Sequence, residues 1–239
     1  PLHESRTLGR LRIHALQAGG QLLDGGAMFG VVPKPLWERR IPADERNRIP
    51  LGMRCLLIEH PDGLVLLDTG IGNKENPKSL SASSTLLPRP ARAQDLSALF
   101  GFGAPASADP MLNGTPEERA KQVDAAIAAA GFAAVDVKYV INTHLHFDHA
   151  GGNTCLDEDG APEPAFPNAR YFVHRGEFHY ATHTNERTAA SYFPANWDAL
   201  VKSGQIEFVE SGRDLVPGIR MRHTPGHTPD HQSIVIDGD

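Results

Sequence analysis

Apolar and polar positions divide this chain into short strands and a few helices. Residues 54–59 and 64–67 are two apolar runs separated by Pro61-Asp62-Gly63, a pattern that predicts a β-hairpin. The second run leads into Asp68-Thr69-Gly70. From about 72 to 114 the chain is rich in Ser, Pro, Gly and Ala and lacks sustained periodicity. That stretch is too long for a simple connection and is expected to be a lid-like insertion beside a pocket. Thr115 as N-cap, Pro116 at the first helical position and Glu118 closing a capping box then predict a helix start. Ala120, Val123, Ile127 and Ala130 share one face of that helix, and Gly131 supplies the stop. A strand follows over 137–141, with others near 170–173, 206–209 and 219–222 and helical stretches between 176 and 200. The order β-β-α-β-α-α-β-β predicts layered α/β structure in one domain spanning 1–239. Residues 233–239 have the pattern of a strand entering a turn, so a further C-terminal part of the domain is expected.

Composition narrows the partners. With a formal net charge of −6 and no Lys/Arg cluster, the chain lacks the basic face that phosphate neutralisation needs, so nucleic acid is not expected as a partner. No run of eighteen apolar residues predicts a membrane span. Cys55 and Cys155 form no CxxC and are too few for a disulfide framework, which favours a reduced, cytoplasmic setting. The first residue is Pro1 rather than Met, which leaves a removed leader open. Oligomeric state has no signature here.

Candidate chemistry is concentrated after the 137–141 strand. His144, His146, Asp148 and His149 lie within six residues, followed by Gly151-Gly152. Imidazole and carboxylate suit borderline metals such as zinc. His144 and His146, two apart on an extended loop, can turn to one side and share an ion. Asp148 and His149 can face a neighbouring position, and the glycines allow the backbone to turn tightly. A second segment, residues 223–231 (HTPGHTPDH), sits between two strands, and its His227 could complete a three-histidine site with His144 and His146. His174, His179 and His183 fall on or near a predicted helix and are expected at the surface, while His231 is expected outside the ligand set.

Asp68-Thr69-Gly70, the THLHFDHAGG segment from Thr143 and the HTPGHTPDHQS segment from His223 together resemble the metallo-β-lactamase superfamily, and within it the N-acyl homoserine lactonase type. The resemblance runs from about residue 51 onward. It implies an αββα sandwich with the site at one sheet edge, His144, His146 and His227 on a first metal, and Asp148 and His149 on a second. Asp68 would support the metal loop through hydrogen bonds. A bridging aspartate and a last histidine of the family pattern are not matched by any residue of this sequence. Asp230 stands where the family often has glycine; a hydrogen bond to a loop amide or to His231 is one reading, no effect the other.

The implied function is a hydrolase of a small molecule that uses a metal-bound hydroxide to cleave an ester-like bond, a lactone first. The expected cofactors are two divalent ions, zinc first, with manganese or iron as other choices. Asp148 would orient the hydroxide and is the expected catalytic residue. Organophosphate, thioester and β-lactam substrates remain open, as does a metal-binding homologue without activity.

Overall fold

The fold follows from a parallel core onto which an antiparallel flank is added. The computed structural model describes residues 2–72, 74 and 116–239, with side chains of the last stretch from 123. The strands are β1 (His3–Leu8), β2 (Leu11–Asp24), β3 (Arg48–Glu59), β4 (Leu64–Leu67), β5 (Val137–Ile141), β6 (Thr154–Leu156), β7 (Pro162–Pro164), β8 (Arg170–His174), β9 (Ile206–Val209), β10 (Asp214–Val216), β11 (Ile219–His223) and β12 (Gln232–Ile236). Seven form one sheet in the order β1-β2-β3-β4-β5-β8-β9, and β10-β11-β12 form another. Pairing is antiparallel from β1 to β4 and parallel from β4 through β5 and β8 to β9. Parallel strands bring their carboxyl ends to one edge, the usual place for a site in such sheets. Leu67 pairs with Ile141 and Ile141 with Phe172, so the loops after β4, β5 and β8 emerge side by side.

Strand alternation divides the core. Leu57, Leu66 and Tyr171 point to one face and pack against Val123, Ala126 and Ile127 of a helix, Pro116–Ala129. Ile58, Val65, Leu67 and Phe172 point to the other and meet Val216, Ile219 and Met221 of the three-stranded sheet. These are three layers of the αββα sandwich; no helix of a fourth layer is among the described residues. No helix among them is long and apolar enough to cross a membrane.

The predicted hairpin is present as β3–β4, with Leu56 opposite Leu67. Val123 and Ile127 are buried as the helical periodicity requires. The Thr115 cap, Glu118 and Ala120 side chains, and nearly all of the 72–114 segment, lie outside the described residues. Absent from the sequence-based expectation was the β1–β2 hairpin. Gly9, at φ +54°, turns β1 into β2, which pairs with β3 from Arg12 opposite Glu59 to Asp24 opposite Arg48. An irregularity between Gln17 and Gly20 breaks the alternation that would have marked β2 as a strand.

Candidate metal centre

Asp68 follows β4 directly and adopts φ +54°, a left-handed conformation that aspartate tolerates better than most residues. Its carboxylate reaches across to the loop after β5. Oδ1 accepts from the Thr143 amide at 2.8 Å, and Oδ2 accepts from the Thr143 hydroxyl and from Nδ1–H of His149, each at 2.8 Å. These bonds fix two imidazole tautomers. Thr143 gives its only hydroxyl proton to Asp68, so at its 3.0 Å contact with His144 the hydroxyl accepts from Nδ1–H. Nε2 of His144 is left with its lone pair, buried and without a hydrogen-bond partner. His149 likewise donates from Nδ1 and keeps Nε2 free of that bond.

The second loop joins β11 to β12. Thr224 donates its amide to His231 O at 2.9 Å and Gly226 to Thr228 O at 3.0 Å, closing the turn on itself. Gln232 then donates its amide to Thr143 O at 2.9 Å, tying the start of β12 to the first loop.

The two loops bring three ligand atoms together. One nitrogen each from His144, His146 and His227 lies within 4.8 Å of the others, with His144 buried, His146 half-buried and His227 exposed. Nδ1 of His146 and Nε2 of His227 stand 3.1 Å apart, although 81 residues separate them. Two ligands 2.0–2.1 Å from a tetrahedral zinc are about 3.3 Å apart, so this spacing fits a shared ion. Beside this cluster, Nε2 of His149 and Oδ2 of Asp148 are 3.8 Å apart, a separation two ligands of one ion can bridge. The rings of His144 and His149 are 4.1 Å apart by centroid, so the two positions adjoin. An orphaned buried nitrogen, an imidazole pair and, beside them, a carboxylate–imidazole pair are donors that suit divalent metal.

Protonation agrees. Burial, reinforced by His227, His149 and His231, pushes His146 down to about 3. Burial is again the main cause at His144, with His149, His146 and His227 adding to it, and it too is driven far below the ordinary histidine range. Both are neutral, the form that binds metal. His149 moves the other way: burial alone would lower it, but the charge and hydrogen bond of Asp68, with Asp148 behind them, raise it to about 9. A metal at this position has to displace a proton.

Several residues depart from expectation. Asp230 meets neither a loop amide nor His231; its carboxylate lies 3.6 Å from Nδ1 of His174 and 3.5 Å from Nε2 of His223. His174 is correspondingly buried at the end of β8 rather than at the surface, whereas His179 and His183 are exposed. His231, which was expected outside the ligand set and is not in the three-histidine group, lies with its ring 5.1 Å from that of His144 and its Nδ1 3.1 Å from the Thr224 hydroxyl. Gly151 and Gly152 serve close approach rather than a tight turn: a Cβ on either would strike the backbone at Ile71 or Thr69.

Two contributors had no sequence signal. Gln21 of β2, in the hairpin that the apolar pattern did not reveal, donates to Oδ2 of Asp148 at 3.1 Å. Glu177, on the helix Arg175–Thr182, accepts bonds from both loops.

Comparison with known proteins gives this geometry its context. The sequence model of the metallo-beta-lactamase superfamily matches residues 113–239. An N-acyl homoserine lactonase of a Bacillus species is 30% identical over 189 residues, 79% of this chain and 60% of its own length. The chain thus spans about 60% of the length of the curated relatives it matches first. A solved chain from Staphylococcus aureus, described as a probable metal-dependent hydrolase, is 32% identical with a TM-score of 0.73, covering 98% of this chain and 71% of that one. AidC, described as a dizinc quorum-quenching lactonase, has a TM-score of 0.66 over 98% of this chain and 70% of its own; at 20% identity it bears on the fold alone. With 127 of its 239 residues under the family's sequence model, and both histidine segments inside that stretch, the chain belongs to the metallo-beta-lactamase superfamily.

Proposed function

We propose that this chain contributes a dinuclear metal centre, zinc first, to a hydrolase that opens a lactone. The observation that carries the reading is the convergence of His144, His146 and His227 beside the Asp148–His149 pair. The three histidines would hold one ion, and Asp148 with His149 the other. Bound there, the ions would supply an activated water and a Lewis acid for the substrate oxygen. The protein's own part is to keep the imidazoles in their ligand tautomers through Asp68 and Thr143. Gln21 orients the Asp148 carboxylate, which would offer an acceptor for a proton of the attacking water. The preference for a lactone rests on the relatives, whose described activity is N-acyl homoserine lactone hydrolysis.

The test is elemental analysis of the folded full-length protein prepared without chelator, followed by a substrate panel. About two divalent ions per chain are expected, with lactone turnover exceeding that of organophosphate, thioester and β-lactam substrates. Fewer than one ion per folded chain overturns the metal centre. Two ions with no lactone turnover overturns the substrate assignment, and turnover of none of the panel points to a metal-binding protein without this activity.

A further inference from the structure

Glu177 is 1% exposed, in the first turn of the helix that follows β8. Its carboxylate is filled by three donors. Oε1 accepts from the Leu145 amide at 3.0 Å and from the Tyr192 hydroxyl at 3.0 Å. Oε2 accepts from the Thr228 hydroxyl at 2.6 Å. The identity of those donors is what matters. Leu145 is the residue between His144 and His146, and its amide belongs to the stretch that sets the orientation of both. Thr228 follows His227 immediately and is itself buried. The Tyr192 ring packs edge-on against His146, with centroids 4.8 Å apart. One side chain therefore holds a neighbour of every histidine in the three-histidine cluster.

We propose that Glu177 is a positioning residue of this centre, clamping the two ligand loops at the separation one metal ion demands. The inference rests on the three-histidine metal site proposed above. The two loops come from different sheets, so packing within either sheet cannot set the gap between them. A carboxylate suits the task because it only accepts, and all three groups facing it can donate. Glutamine preserves most of this pattern: its oxygen can still accept from Leu145 and Tyr192, while its amide donates to the Thr228 oxygen. Leucine removes every bond and leaves the donors buried without partners.

The test uses the full chain and its variants Glu177→Gln, Glu177→Leu and Thr228→Val. Zinc affinity is measured by competition with a chromophoric chelator, and the visible absorption of the Co²⁺-loaded protein reports ligand geometry. Glu177→Leu is expected to lose about 10–100-fold in affinity with altered cobalt bands, and Glu177→Gln to retain most of the affinity. Thr228→Val, which frees only the His227 side, should fall between them and also alter the bands. A folded Glu177→Leu protein with wild-type affinity and spectrum overturns the proposal, because a merely structural residue would lower only the melting temperature. Glu177→Gln as damaging as Glu177→Leu also overturns it. If Glu177→Leu does not fold, Thr228→Val decides, and unchanged bands overturn the clamp. Wild-type protein that binds zinc no better than a His144→Ala control instead refutes the metal site itself, a separate failure.

Discussion

The two histidine loops are built differently. The first is framed from behind: Asp68 takes three hydrogen bonds from it, and Asn142 and Asn153 exchange side-chain bonds of 2.9 and 3.2 Å. Gly151 and Gly152 pack directly on the backbone at 69–71. The second loop has its own turn, one backbone bond to Thr143 and the Thr228–Glu177 contact. Its histidine, His227, is exposed while His144 is buried. One half of the centre is thus a preorganised framework, and the other is a short turn brought up to it. Changes in the framework should act through ligand orientation and charge, and changes in the turn mainly through the freedom of the unbound loop.

The largest effect should come from the charge on the framework side. Asp148→Asn keeps size and one oxygen but removes the carboxylate that Gln21 orients. The expected result is a folded protein that retains the three-histidine ion and loses turnover by about 10²-fold or more, mainly in kcat. Kinetics paired with metal analysis checks this, and wild-type turnover with both ions present would remove Asp148 from the mechanism.

A smaller effect is expected at Asp68. Asparagine tolerates the same left-handed backbone but offers one acceptor oxygen where three donors need two. Asp68→Asn should weaken metal binding by about 10–100-fold, with the greater loss at the Asp148–His149 position. Titration with chelator competition resolves the two sites; equal affinities in variant and wild type would mean that packing alone frames the loop.

The mildest prediction concerns the turn. Pro225→Ala gives the unbound second loop more conformations to lose, at a cost of about 0.4–1 kcal/mol. Metal affinity should drop only a few-fold, with cobalt bands unchanged. A loss as large as that of Asp68→Asn would erase the contrast between the loops.

What the sequence made legible was local. His144, His146, Asp148 and His149 announce themselves because candidate ligands on one loop are close along the chain. His227 was legible only in company: HTPGH alone is a weak signal, and the HxHxDH segment upstream gives it meaning. Glu177 was not, since its partners on the two loops lie 32 and 51 residues away and a glutamate on a short helix looks like any solvated residue. Gln21 was hidden with β2, whose alternation the irregularity between Gln17 and Gly20 interrupts. The glycines were visible, but their reason was not: only the fold reveals that the backbone of the loop after β4 fills the space a Cβ would take.

The 81-residue span between His146 and His227 has a consequence for the life of the protein. One of these histidines follows a strand of the large sheet, and the other lies between two strands of the small one, so an ion held by both would act as a reversible cross-link between the layers. Anything that binds only the folded state stabilises it, by an amount that grows with the logarithm of its concentration above the dissociation constant. Resistance to proteolysis would then rise and fall with the free metal around the protein.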